Sequence, residues 1–320
     1  MRSLNFVMVL LLLLFIHCSS ETGVPGIDTR PPLESVLTLE LTFGSELYDT
    51  KDEFLLARPW EMDISSEGDI AIVDEEKIKI FDKFGKGKKI VGGRGQGPGE
   101  FDFSPTLFFG PTGYLIALSK SPMGTYYNLY APDYQFIEKK NTRNKQPLID
   151  ILQTKVPGIK RFEVNKIIPL NKSEMVYSVY FFDSQGKTRF ISIIHEKDEK
   201  ITELYHAKDP ITFVGGGLIS ISAFMGYMYW HVIPGRKIMY INTDDDIHDE
   251  NEGSFYTINV LSIDTGEVKQ ISKRFTPYIF TDDWEKEYIY RMESRNRQIN
   301  REMIKFLKEK KYMPSILINS

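Results

Sequence analysis

Short segments in which apolar and polar side chains alternate dominate the chain from residue 58 onward. In the best-formed stretch they lie at residues 60–64, 70–74, 78–81 and 89–91, separated by turns rich in Gly, Ser, Asp and Glu. Turns this short join antiparallel neighbours, because a parallel pair needs a long crossover connection. The pattern therefore predicts an up-and-down sheet of four strands.

The same plan recurs three more times along the chain. The predicted strands lie at residues 106–109, 114–118, 126–130 and 135–138, then at 166–169, 174–182, 188–194 and 200–205, and then at 219–224, 227–232, 255–263 and 268–271. An acidic insertion, residues 242–253, separates the second and third strands of the last group. Repeats of about 45 to 55 residues are typical of propeller blades. We predict an all-β chain, a β-propeller of four-stranded antiparallel blades.

Segments at both ends of the repeats complete this prediction. Residues 37–43 alternate like a lone strand that needs a partner, and residues 282–311 have the pattern of a C-terminal amphipathic helical segment, one helix or two, capped by Asp282 and Asp283. Residues 312–318 then resemble the first strand of a further blade. The last blade is thus expected to be incomplete, either in the natural protein or through truncation.

Composition changes this picture little. The 320 residues include 40 basic and 44 acidic side chains, so the charge balance does not favour nucleic acid as a partner. Aromatic residues make up 13% of the chain, which suits half-buried sheet surfaces. The basic face of the C-terminal helical segment is interpreted as solvated.

The N-terminus has the pattern of an export signal. Arg2 precedes an apolar run at residues 6–16, which is shorter than the roughly 20 residues that cross a bilayer. Cys18, the only cysteine, excludes an internal disulfide. Residues 14–18 resemble the lipobox of bacterial lipoproteins, although His17 departs from it. We expect a signal peptide at 1–18, a tether at 19–34 and the propeller domain at 35–320. A lipid on Cys18 would anchor the protein in the bacterial cell envelope. The alternative is secretion as a soluble protein, with cleavage after Ser20.

A glycine-rich stretch, residues 92–101, follows the first group of strands. Its members are Gly92, Arg94, Gly95, Gly97, Pro98, Gly99, Glu100 and Phe101. Glycine permits a left-handed backbone and close approach, so we predict a structural corner between blades, with Arg94 and Glu100 able to pair across it. A phosphate-binding loop is the alternative, but that site requires a helix after the glycines, whereas Pro105 and a strand follow here.

The stretch from Arg58 to Pro105, including residues 68–74, 78–85 and 92–101, resembles the six-bladed β-propeller lipoproteins of bacteria, which are relatives of the NHL-repeat propellers. The resemblance implies a six-bladed ring with a central channel in an exported, membrane-anchored protein. Related propeller enzymes hold a divalent metal in that channel through residues of several blades.

Candidate chemistry is sparse. Asp244, Asp246 and Asp249 form an acidic run that could bind Ca²⁺, although it lacks the Gly and Glu of a helix-loop-helix calcium loop and also fits a solvated hairpin tip. We expect no other cofactor. The sequence favours a non-catalytic binding or scaffold module for a peptide, glycan or protein partner. The alternative is a metal-dependent hydrolase or lyase with a site in the propeller channel.

The lipid anchor gives a first testable prediction. Radioactive palmitate should label the wild-type protein in a bacterial host and should not label Cys18→Ser, because the lipid would be attached through this cysteine. Ser19→Ala, which retains the cysteine, serves as the control. An unlabelled wild-type protein would rule out the anchor and leave secretion.

Overall fold

The structure is a computed structural model. It describes residues 40–46, 51–121, 124–142, 146–159, 162–186, 188–208, 213–214, 217–218, 228–249, 253–276 and 281–294, together with the single residues 301, 304 and 308. The chain divides into two compact units, Met1–Thr42 and Phe43–Ser320, and all of the described strands lie in the second.

Most of the described chain is β-strand. The first two sheets contain β1 (Pro59–Ile64), β2 (Ile70–Asp74), β3 (Lys77–Phe81) and β4 (Gly87–Val91), and β5 (Thr106–Phe109), β6 (Leu115–Ser121), β7 (Gly124–Tyr130) and β8 (Phe136–Asn141). Helix α1 (Gln146–Lys155) precedes the third sheet, which contains β9 (Phe162–Asn171), β10 (Glu174–Phe182), β11 (Arg189–Lys197) and β12 (Lys200–Lys208). A two-stranded pair follows, formed by β13 (Phe213–Val214) and β14 (Gly217–Leu218). The fourth sheet contains β15 (Met228–Ile233), β16 (Lys237–Asn242), β17 (Ile247–Asp249), β18 (Gly253–Ser262) and β19 (Val268–Phe275), and helix α2 (Asp282–Ser294) comes last.

The strand order is that of propeller blades. Within the described residues, the first three large sheets run β1-β2-β3-β4, β5-β6-β7-β8 and β12-β11-β10-β9, and every pair is antiparallel. The fourth runs β15-β16-β18-β19, with the short β17 folded back onto β18 as a hairpin. The predicted fold class is confirmed: an all-β propeller of four-stranded antiparallel blades, here called blades 1 to 4. The total of six blades stays a prediction, because residues 312–318 lie outside the described part.

Apolar clusters fill the spaces between consecutive blades. Ile78 and Ile80 of blade 1 pack with Leu107 and Leu115 of blade 2. A second cluster joins blades 2 and 3, and a third joins blade 3 to Trp230, Val232, Ile238 and Tyr240 of blade 4. Each blade therefore buries its faces against its sequence neighbours, as propeller blades do.

Helix α1 was not predicted from the sequence. It lies between blades 2 and 3 in the chain, and its buried residues Leu148 and Leu152 join the apolar cluster between those blades. The spacing of four residues places both side chains on one helix face. Within the described residues, the connection between blades 2 and 3 is thus a helix whose buried side chains fill space between these blades.

Polar side chains complete the inner strands, which have a sheet partner on one side only. The Asp63 carboxylate of β1 accepts a hydrogen bond from the backbone amide of Phe109 at 2.6 Å, and Glu61 accepts one from the amide of Leu107. Lys166 of β9 donates to the backbone carbonyl of Trp230 at 2.9 Å. These contacts satisfy backbone groups that would otherwise lack a partner near the axis.

An ionic cluster joins blades 3 and 4. Arg236, in the β15–β16 turn, binds both carboxylate oxygens of the buried Glu174, with a shortest distance of 2.6 Å, and also binds Asp264 at 2.9 Å. His195 lies 2.8 Å from the same carboxylate. The Arg236 guanidinium lowers the pKa of Glu174 to about 2, against the opposing effect of burial.

Two sequence predictions about strands need correction. The second strand predicted for blade 4, residues 227–232, is its inner strand β15, and the true second strand, β16, was missed; the predicted first strand at 219–224 lies outside the described residues. The tight turn at Gly235 and Arg236, where both φ angles are positive, explains the error. It is so short that the sequence pattern does not show where β15 ends and β16 begins. Of the lone strand predicted at 37–43, the described residues 40–43 are not in a strand.

The C-terminal helical segment begins at Asp282, as predicted, but its cap is Thr281, whose hydroxyl accepts a hydrogen bond from the Trp284 amide. Lys308 lies 2.5 Å from Glu285. In one straight helix these residues would be about 35 Å apart, so residues 285 and 308 do not belong to one straight helix. No helix within the described residues is long and apolar enough to span a membrane.

Burial between blades gives a matched stability test. Ile78→Ala removes a side chain that is fully buried between blades 1 and 2 and should lower the free energy of unfolding by about 2–5 kcal/mol. Ile64→Ala makes the same change at a site that is 52% exposed, and should cost less than about 1 kcal/mol. Urea unfolding followed by circular dichroism measures both; equal losses would contradict the assigned packing.

Candidate functional site

A cavity of about 370 Å³ opens at one end of blade 1. It lies where the start of β1 and the β2–β3 turn meet the connection to β5. Its lining residues are Arg58, Trp60, Val73, Glu75, Glu76 and Ser104. Residues that are up to about 45 positions apart in the chain therefore meet at this cavity, which we take as the candidate binding site.

A buried ion pair fixes the entry into β1. The fully buried Asp74 accepts hydrogen bonds from the backbone amide of Arg58 at 2.5 Å and from the amide of Ala57 at 3.1 Å, and it binds the Lys79 ammonium at 2.7 Å. Lys79 also donates to the backbone carbonyl of Leu55. Burial acts to raise the pKa of Asp74, but the hydrogen bonds from Lys79 and the two amides outweigh it and lower the pKa. This anchor determines where Arg58 and Trp60 begin the strand.

The turn at the cavity rim has an unusual backbone. Glu75 and Glu76 form the two-residue β2–β3 connection with φ angles of 47° and 64°. Such turns normally use Asn or Gly, because a Cβ atom crowds the backbone in the left-handed region. The turn places both carboxylates at the cavity. Asp198 and Glu199 form a similar turn in blade 3, so the backbone alone does not define a site.

Several side chains that line the cavity have no intramolecular partner in the part of the chain that the structure describes. Trp60 is 65% exposed. Within the described part of the chain, the side chains of Arg58, Glu75 and Ser104 make no hydrogen bond or ion pair. Glu76 differs, because it is held by Arg94 at 3.2 Å. An indole face, a guanidinium, a carboxylate and a hydroxyl are therefore free to contact a ligand.

The glycine-rich stretch reaches the cavity rim through Arg94, which binds Glu76. It connects β4 of blade 1 to β5 of blade 2, with a bridge between Arg94 and Phe101. Phe101 is buried in the cluster between these blades, and a Cβ atom on Gly92, whose φ is 72°, would lie 2.4 Å from its ring. Arg94 and Glu100 do not pair with each other. Arg94 binds Glu76, whereas the Glu100 carboxylate accepts a hydrogen bond from the Gly97 amide at 2.9 Å.

Blade 2 also holds this stretch from the other side. The Tyr130 hydroxyl donates to the carbonyl of Gly99 at 2.8 Å, and Asn128 and Lys139 donate to the carbonyl of Glu100. Strand β5 follows the glycines, so the helix N-terminus that a phosphate loop requires is not present there. The stretch connects blades 1 and 2, and its role as a structural corner stays a prediction.

Asp246 and Asp249, predicted as metal ligands, do not line this cavity. Asp244 belongs to a 3₁₀ turn, Thr243–Asp245, and Asp249 ends the short strand β17. The described residues contain no group of three or more His, Cys, Asp or Glu arranged to hold a metal ion, and the Asp244 side chain lies outside them. Calcium binding stays a prediction. Cys18 also lies outside the described residues.

Blade 3 holds a polar cluster that the sequence did not indicate. The Ser192 hydroxyl donates to Glu203 at 2.7 Å and lies 3.0 Å from Nδ1 of His206. The resemblance to a hydrolytic triad does not extend to the geometry, because Glu203 approaches the same imidazole nitrogen and Ser192 is fully buried. The cluster ties β11 to β12. Only the strand register, which pairs Ser192 with His206, reveals it.

Comparisons with known proteins give limited information. The sequence matches no protein-family model and no curated protein. Among solved structures, a candidate exported protein of Bacteroides fragilis is 12% identical with a TM-score of 0.31, over 83% of this chain and 91% of that one. The endo-arabinase of Bacteroides thetaiotaomicron is 12% identical with a TM-score of 0.33, over 71% and 85%. The GH93 α-L-arabinofuranosidase of Fusarium graminearum is 12% identical with a TM-score of 0.30, over 68% and 69%. With identities and TM-scores this low, the fold assignment rests on strand order and packing.

The ion pair beneath the cavity gives a pH-dependent prediction. Asp74→Asn should lower the free energy of unfolding by about 3 kcal/mol at neutral pH, because it leaves the Lys79 charge buried without its partner. The folded-state pKa of Asp74 is lowered, so its stabilisation is present above about pH 4 and is lost as the pH falls through the folded-state value.

Urea unfolding at about pH 7 and about pH 2.5 tests this, since the deficit should shrink at the lower pH. The exposed Asp52→Asn is the matched control and should have little effect at either pH. A deficit of equal size at both pH values would contradict the assigned role of the carboxylate.

Proposed function

We propose that this protein is an exported, non-catalytic binding module whose cavity at the end of blade 1 holds a peptide, a glycan or a segment of a protein partner. The observation that carries the proposal is the exposed indole of Trp60 beside Arg58 and Glu75, neither of which has a side-chain partner among the described residues. Polar groups that converge beside an apolar surface are typical of ligand sites.

The protein supplies rigid support for this site. The buried Asp74–Lys79 pair sets the start of β1, whereas the Arg94–Glu76 pair is exposed and adds little rigidity. A site whose backbone is held by buried contacts loses less conformational entropy when it binds. The cavity volume of about 370 Å³ falls within the range of about 300–1,000 Å³ that ligand pockets occupy.

Export is proposed from the N-terminal pattern. The signal at residues 1–18 would direct the chain across the membrane, and a lipid on Cys18 would leave the propeller at the bacterial cell envelope on the tether at 19–34. The membrane is then a partner through the lipid alone, and nucleic acid is not a partner. Membership of the NHL-like propeller lipoproteins, with six blades, belongs to the same proposal.

A mixed array of glycans and peptides tests the binding function. We expect at least one ligand class to bind, and Trp60→Ala to weaken that binding about tenfold or more, because the indole supplies much of the contact surface. Phe84→Ala is the matched control, since Phe84 is also exposed but lies in the β3–β4 turn at the opposite end of blade 1.

Chromatography of the bound ligand after prolonged incubation completes the test. Intact ligand supports a binding module, whereas cleaved ligand would favour the hydrolase or lyase alternative. Binding that is equally strong in Trp60→Ala would place the site elsewhere and overturn the assignment.

A further inference from the structure

The charges around the cavity point to one ligand class. We infer that the cavity binds an uncharged saccharide of about one or two rings, with one ring stacked on Trp60 and its hydroxyls bound by Arg58 and Glu75. This inference rests on the proposed binding function and specifies its ligand. It uses only the lining residues and their partners.

The charges at the cavity favour a neutral ligand. The lining residues provide one free guanidinium, on Arg58, and one free carboxylate, on Glu75, while the charge of Glu76 is offset by Arg94. A strongly anionic ligand would meet the carboxylates of Glu75 and Glu76, and a strongly cationic ligand would meet the Arg58 guanidinium and would compete with Arg94 for Glu76. Like charges in close contact oppose binding, so a neutral ligand fits this arrangement best.

The hydrogen-bonding groups at the cavity also fit a sugar ring. Arg58 offers only donors in a planar fork, and ionised Glu75 offers only acceptors. Neighbouring hydroxyl groups on a sugar ring both donate and accept, so one ring can satisfy both side chains at the same time. Ser104 adds a hydroxyl that can act in either direction.

The indole of Trp60 offers an apolar surface for a sugar ring. It is 65% exposed, and it forms part of the cavity lining rather than of the core. A flat apolar surface beside polar groups matches a sugar ring, which has apolar C–H faces and a polar rim. Aromatic side chains combine a large apolar surface with few rotatable bonds, so contact with the ligand orders little.

Isothermal titration calorimetry on the full-length protein tests the inference. The probes are neutral disaccharides (cellobiose, maltose, xylobiose and lactose), an acidic one (digalacturonic acid) and a basic one (deacetylated chitobiose). We expect a neutral probe to bind with an affinity that changes less than about twofold between low and high salt, because no net charge is neutralised. The charged probes should bind at least about tenfold more weakly.

Variants separate this inference from the function on which it rests. Trp60→Ala and Arg58→Ala should each weaken binding of the neutral probe about tenfold or more, whereas Phe84→Ala should leave it unchanged. Arg94→Ala should strengthen binding of the basic probe, because it frees the Glu76 carboxylate. Circular dichroism of each variant establishes that it is folded.

The outcomes are distinct. Trp60-dependent binding of a charged probe or of a peptide, with no binding of any neutral saccharide, would overturn the ligand class and keep the binding site. Binding of a neutral saccharide that is insensitive to Trp60→Ala and Arg58→Ala, or no Trp60-dependent binding of anything, would overturn both. Electrophoresis in gels that contain the parent polysaccharide then distinguishes binding to a polymer from binding to free short sugars, and either result supports the inference.

Discussion

Sheets that are apolar on both faces determine the architecture of this protein. All five residues of β2 are buried, and so are most of those in β10. A strand of this kind needs a packing partner above and below its sheet, because its side chains point alternately to both faces and each contributes about 1.5–3 kcal/mol only when its own face is covered. Successive blades meet that need by packing face to face, and α1 fills the space between blades 2 and 3. The propeller arrangement follows from this requirement.

Polar contacts determine how neighbouring blades align rather than whether they associate. The hydrophobic effect is non-directional, so burial of apolar surface favours association of the blades more than one particular alignment. The bond from the Phe109 amide to Asp63, and the fork of Arg236 on Glu174, each permit one alignment only. Their net contribution to stability is modest, because burying the charges offsets much of their attraction. Their main physical effect is to fix the alignment of neighbouring blades, whose sheets are not hydrogen-bonded to each other.

The sequence predicted the elements that depend on local pattern and missed those that depend on packing. The strands of blades 1 and 2 were predicted to within a few residues, because alternation and turn residues mark them directly. Helix α1 was missed because it is short and only Leu148 and Leu152 are buried, which is too few positions to mark a helical period. The cavity was missed for a different reason: Ser104 and Glu75 meet only in the folded chain, where the connection to β5 approaches the β2–β3 turn. Arg94 was noticed, but its true partner, Glu76, was not.

Two departures from ordinary folding rules coincide at the cavity. A large aromatic residue, Trp60, is exposed on a strand whose neighbour is fully buried, and two glutamates occupy left-handed positions in the adjacent turn. Trp60 shares its exposed strand face with Met62 and Ile64, and the Asp198–Glu199 turn has the same left-handed acidic pair away from this cavity. Neither feature alone indicates function. Their coincidence around Arg58, whose side chain has no partner within the described residues, is what supports the proposed binding site, because conflicts between local preference and fold concentrate at functional sites.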